Sequence, residues 1–142
     1  MKNLFLILLF SSFFYHVNGQ EIGLRFGEMA GNNIAIDGIF NFKNGRLHTD
    51  ISFGDGVGID VIYDFIHNPI LESSNIYYYV GIGVTTLIHD DFELGATGEA
   101  GFEFRFNSIP FVFGLDYRPS IIIIGNSTFH WNGFGLNMRY VF

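Results

Sequence analysis

The chain closes on "GFGLNMRYVF", residues 133–142. Taken in twos, Phe134, Leu136, Met138, Tyr140 and Phe142 fall in one phase, and Gly135, Asn137 and Arg139 in the other. A strand alternates its side chains between two faces, so this segment predicts a strand with one apolar and one polar face. It stops on a bare Phe. An arginine on the inner side of a final strand, with aromatic residues outside, fits a wall that meets lipid rather than water.

The same alternation runs backwards through the chain. Eight strands are predicted, at 21–27, 34–42, 47–53, 57–65, 76–88, 96–106, 111–123 and 131–142, with no long helical period after residue 20. Turn residues separate them. "KNGR" (43–46) carries Asn-Gly, a strong hairpin signal, and "FGDGVG" (53–58) and "NSIP" (107–110) are further tight turns. "GEMAGNN" (27–33), "HNPILESSN" (67–75), "HDDFELG" (89–95) and "GNSTFH" (125–130) complete the set. Pro119 inside the seventh strand lacks a ladder donor, so a bulge or a local end to pairing is expected there.

The first nineteen residues, "MKNLFLILLFSSFFYHVNG", have a basic start at Lys2 and a short apolar run. That pattern reads as a secretory signal peptide with cleavage expected between Gly19 and Gln20. The domain is then 20–142. Its six basic residues face fourteen acidic ones, a formal charge of −8, which argues against a nucleic-acid partner. There is no Cys, so neither a lipid-anchored amino terminus nor a disulfide is available.

Sorting by phase gives an apolar set on every strand and a second set that mixes charges with glycines. The mixed set holds Arg25, Asp37, Asn41, His48, Asp50, Asp60, Asp64, Glu103, Arg105, Asp116, Arg118, Asn137 and Arg139. A soluble lipocalin-like barrel would turn the apolar phase inwards and bind an apolar ligand; a membrane barrel does the reverse. Glycines beside charges suit a cramped interior, and buried arginines and carboxylates on neighbouring strands satisfy one another. The apolar set is also too bulky for the inside of an eight-stranded barrel. The reading is therefore an eight-stranded antiparallel up-and-down transmembrane β-barrel with a lumen filled by side chains. Phe40/Phe42, Tyr63/Phe65, Phe104/Phe106 and Tyr140/Phe142 fall at the end that carries the termini, as an aromatic belt at a membrane interface would.

"IGLRFG" (22–27), "LDYRPS" (115–120) and "MRYVF" (138–142) resemble small bacterial outer-membrane β-barrel proteins, OmpX-like and of the type common in Bacteroidetes. The resemblance implies a bacterial outer-membrane location after export, outer-membrane lipid as a partner, and insertion by the barrel-assembly machinery through the strand ending at Phe142. It implies a structural or surface-interaction role in the envelope. The minimal "GDG" turn (54–56) departs from the long loops of that family and speaks against adhesion through loops. A narrow porin-like channel is the alternative membrane reading.

For chemistry, a lipid hydrolase would need a nucleophile, a base and a carboxylate at one rim. His89, Asp90 and Asp91 lie on one outer loop, and Ser127, Thr128 and His130 on another, with no motif joining them. The same groups suit a divalent cation or cation-linked headgroups. No catalytic, cofactor or metal residue is assigned from the sequence, and the chain is not read as an enzyme. His48 is read as a hydrogen-bonded packing residue, and His67 is placed in a turn at the terminus end. "NST" (126–128) matches a glycosylation acceptor by chance composition alone.

Overall fold

A computed structural model describes residues 20–142; the expected signal peptide, residues 1–19, lies outside the described residues. The strands are β1 (Glu21–Met29), β2 (Asn32–Phe42), β3 (Gly45–Gly54), β4 (Val57–Pro69), β5 (Ile76–Ile88), β6 (Phe92–Arg105), β7 (Phe111–Tyr117), β8 (Ser120–Ile124), β9 (Phe129–His130) and β10 (Phe134–Val141). Each pairs antiparallel with its sequence neighbour, β7 and β8 together forming the seventh wall and β9 and β10 the eighth. β10 then pairs with β1, from Glu21↔Val141 to Gly27↔Gly135, and closes the sheet. The Phe142 amide donates to Gln20 O at 2.9 Å, so the two ends of the described chain are bonded together. The result is a closed eight-stranded up-and-down barrel. Among the described residues there is no helix.

The faces are sorted as the alternation requires. Thirty-six large apolar side chains are exposed on the described surface, against eight apolar residues buried. The largest wholly buried side chains include Arg25, Arg139, Tyr79 and His48. Charge is inside and grease is outside, which excludes an apolar ligand cavity in the lumen.

Aromatic rings gather at the terminus end, where Phe42 meets Tyr63 at 6.3 Å, Phe104 meets Phe106 at 4.8 Å, and Phe111, Tyr140 and Phe142 form an edge-to-face run. A second set at the opposite end, Phe26, Phe53, Phe92, Phe129, Trp131 and Phe134, is equally outward.

The strands depart from an ideal uninterrupted ladder in four places, the first of them expected. The seventh wall breaks at Arg118–Pro119, as the missing proline donor predicts. There the Pro119 carbonyl accepts Gly98 N at 3.0 Å and Thr97 Oγ1 at 3.2 Å. The eighth wall, expected to be continuous, breaks between His130 and Phe134, and Arg118 N instead reaches Gly133 O at 2.8 Å.

The third departure is the Asn-Gly hairpin, which turns one residue early. Phe42 pairs with Gly45, leaving Lys43, at φ 53°, and Asn44 as the turn. Gly45 serves a close approach: a Cβ there would meet the Tyr63 ring at 2.8 Å. The fourth is at Phe65, where the β4–β5 register shifts between Asp64 and Ile66. A bulge adds one residue and reverses the phase beyond it, and β4 continues past it to Pro69.

The turns away from the termini, 30–31, 55–56, 89–91 and 125–128, span only two to four residues. Ala30 and Gly31, at φ 51° and 101°, supply the pair of left-handed residues such a two-residue hairpin favours.

Candidate functional site: the charged lumen

Inward positions on neighbouring strands stand level with one another, so register decides which charges meet. Arg25 on β1 and Asp116 on β7 form one pair, with Nε donating to Oδ1 at 2.9 Å and Nη2 at 2.5 Å. Asn137 Nδ2 donates to the other Asp116 oxygen at 2.8 Å. Arg25 also reaches two carbonyls, Glu28 O at 3.4 Å and Gly133 O at 3.3 Å. Those lie where the β1–β10 ladder stops, so the guanidinium bridges the seam in place of the next rung.

Nearer the terminus end, Arg139 donates to Glu21 at 2.8 Å, to Asp37 at 3.3 Å and to Glu103 at 2.6 Å, and contacts Asn137. Glu103 is shared. It also accepts from Arg46 at 3.0 and 3.1 Å, from Arg105 at 2.9 Å, and lies 2.7 Å from His67 Nε2. Arg46 further donates to Asp64 at 2.8 Å and lies over the Tyr79 ring, 4.7 Å from its centroid. Arg105 contacts Glu21 and, with His67, faces Tyr77 at the mouth.

At mid-height Arg118 is the hub. Its Nε donates to Glu99 at 2.9 Å, its Nη1 contacts Asp50, and its Nη2 stands 2.9 Å from His48 Nε2. His48 itself lies 2.6 Å from Asp37 through Nε2 and 3.0 Å from Glu99 through Nδ1. Two clusters there have donor atoms close enough to share an ion: Asp37 with His48 and Asp50, and His48 with Asp64 and Glu99.

Glu93 apart, which sits near His89 at the far rim, this network sets eight carboxylates (Glu21, Asp37, Asp50, Asp60, Asp64, Glu99, Glu103 and Asp116) against five guanidiniums. Charges of both signs in contact offset the desolvation that each would suffer alone. The imbalance leaves the lumen acidic.

All thirteen polar residues assigned inward by the sequence except Asn41 and Arg105 are buried; those two lie near the terminus-end mouth. Arg46, Glu21 and Glu99 join the network beyond that inward set. Arg46 falls in the turn that the sequence predicts, but it belongs to β3, in phase with His48 and Asp50, and so enters the lumen. Glu21 and Glu99 lie in phase with neighbours that were named, and that phase was the available signal. His67 is a correction: it belongs to β4, and the Phe65 bulge turns it inwards to Glu103.

The outer-loop groups do not assemble. His89 lies 3.8 Å from Glu93 and bonds the Asp90 amide, while Thr128 bonds Asn126 O. Among the described residues no hydrogen bond or ion pair joins His89, Asp90 or Asp91 to Ser127 or His130.

Searches against family models, curated proteins and solved structures return no match. Functional argument therefore rests on the geometry of this barrel.

Proposed function

We propose that the protein is an integral outer-membrane barrel with a structural role in the bacterial envelope, as the resemblance of its motifs to small outer-membrane barrel proteins implies. One observation carries this reading: a continuous apolar wall outside a charged, filled lumen. Soluble monomers rarely expose apolar patches beyond a few hundred Å². Here every wall contributes outward Ile, Leu, Val or Phe, and strands β1 to β6 are 9 to 14 residues long, sufficient for tilted strands that need about 9–11 residues to cross a bilayer. Aromatic residues at both ends of the wall fit the two interfaces of a membrane.

The lumen favours a plug over a channel. Arg25, Arg139, Tyr79, His48 and Glu103 are each under 2 % exposed, so side chains fill the cross-section rather than line a path. Turns of two to four residues at the end remote from the termini leave little surface to reach a partner, which favours a structural role over adhesion.

The test is refolding of residues 20–142 with and without detergent micelles, followed by gel migration of unheated and boiled samples. The reading expects a β-rich state that requires micelles and changes mobility on boiling. A monodisperse β-protein in plain buffer would overturn it.

A further inference from the structure

We propose that the lumen holds one divalent cation, of the nitrogen- and oxygen-liganded class to which zinc belongs, on His48, Asp64 and Glu99. The site goes beyond the structural role and does not depend on the membrane reading. One donor atom from each of the three residues lies within 4.8 Å of the other two. His48 Nδ1 stands 3.0 Å from Glu99 Oε1 and 4.0 Å from Asp64 Oδ2. Ligands about 2.0–2.2 Å from a tetrahedral zinc ion stand roughly 3.4 Å apart. These two oxygens are the ones that Arg118 and Arg46 hold, so the ion takes the second oxygen of each carboxylate.

The imidazole is set as metal-bound imidazoles are. Its other nitrogen, Nε2, meets Asp37 Oδ1 at 2.6 Å, and an outer carboxylate of this kind fixes ring angle and tautomer.

A second observation points to a ligand independently. Asp64 Oδ1 and Glu99 Oε2 are buried with no hydrogen-bond partner, and so is the Tyr79 hydroxyl, on a side chain wholly shut from solvent. Buried oxygens of carboxylates are almost always satisfied. Arg46 and Arg118 hold the other oxygen of Asp64 and of Glu99, at 2.8 and 2.9 Å, which leaves these two for an ion. Register supplies the room, because Asp64 pairs with Gly81 and Gly81 with Glu99, so no side chain separates the carboxylates.

The alternative cluster, Asp37 with His48 and Asp50, has both Asp37 oxygens engaged, by His48 and Arg139, and only Asp50 Oδ1 is without a partner there. Eight carboxylates to five guanidiniums leave negative charge that a divalent ion offsets. A histidine ligand with no sulfur favours the zinc class over calcium, magnesium or copper(I).

The full mature chain is refolded with ZnCl2 or with EDTA, in whichever of buffer or micelles yields the barrel. After desalting, bound zinc is measured by plasma mass spectrometry and the thermal midpoint is recorded. One zinc per chain and a higher midpoint with ZnCl2 are expected. Glu99→Gln should lower zinc affinity at least tenfold, while Asp60→Asn, the same charge change elsewhere in the lumen, should retain the metal. Absence of retained zinc in the wild type would overturn the proposal. Equal loss in both variants would also overturn it, since diffuse lumen charge would then be responsible. Where Glu99→Gln does not fold, cobalt(II) loaded into the wild type decides: strong visible bands of a four-coordinate site support it, and a pale six-coordinate spectrum overturns it.

Discussion

Arg25 and Asp116 lie 91 residues apart in sequence and meet with both side chains wholly buried, Nη2 to Oδ1 at 2.5 Å. The pair ties the first strand to the seventh across the closing one. Arg25 adds two backbone carbonyls where the β1–β10 ladder ends, so it secures the seam itself.

Removing one member of a buried pair leaves the other charge uncompensated, at a cost of about 3–5 kcal/mol. Arg25→Ala should therefore destabilise the barrel by that amount, read from urea unfolding of the refolded protein. The double variant Arg25→Met with Asp116→Leu should recover most of the loss. A double variant no better than the sum of the single ones would show that the pair is not coupled.

Glu103 and His67 offer a graded comparison within one cluster. Glu103→Ala leaves Arg46, Arg105 and Arg139 without a shared acceptor and should cost about 3–5 kcal/mol. His67→Ala removes one bond at the partly exposed mouth, where about 0.5–1.5 kcal/mol is expected. Similar losses for the two, measured by the same denaturation, would argue against Glu103 as the junction.

Two glycines on β5 and β6 predict opposite outcomes. A Cβ at Gly83 would fall against the Val61 carbonyl and 2.6 Å from the Ile62 Cα, both backbone atoms that cannot swing away. Gly83→Ala should cost about 1–3 kcal/mol through overpacking. At Gly98 the nearest atom is Pro119 Cγ at 4.0 Å, so Gly98→Ala should leave the thermal midpoint almost unchanged.

The outward wall can be probed by depth. Leu136 is 62 % exposed at mid-strand, and Phe142 is 71 % exposed at the rim. In a bilayer, Leu136→Arg should cost about 2–4 kcal/mol and Phe142→Arg about 0–1 kcal/mol. Equal effects in lipid-reconstituted protein would contradict a membrane-spanning wall. Asn137, which the residue pattern alone makes a tolerant control for Arg, is unsuitable: it is 2 % exposed and bonded to both Asp116 and Arg139.

Period-2 alternation, punctuated by turn residues, determined the eight walls and which residues share a face, because the direction of a side chain from a strand is a local property. The glycines and paired charges of one phase and the bulk of the other determined which face is outside. Phe134, Leu136 and Met138 share one face and Asn137 and Arg139 the other because of the alternation alone. Pro119 likewise marked its own break, since a missing N–H is written in the residue type. Tertiary structure decided what a local pattern does not contain. The Phe65 bulge reversed the phase of His67, and the pairing of Phe42 with Gly45 set the β2–β3 turn one residue early. Which charges met, Arg25 with Asp116 or His48 with Glu99, depended on closure of the sheet and on the register of strands far apart in sequence. Those contacts reach across the lumen, and their geometry exists only once all eight walls are in place.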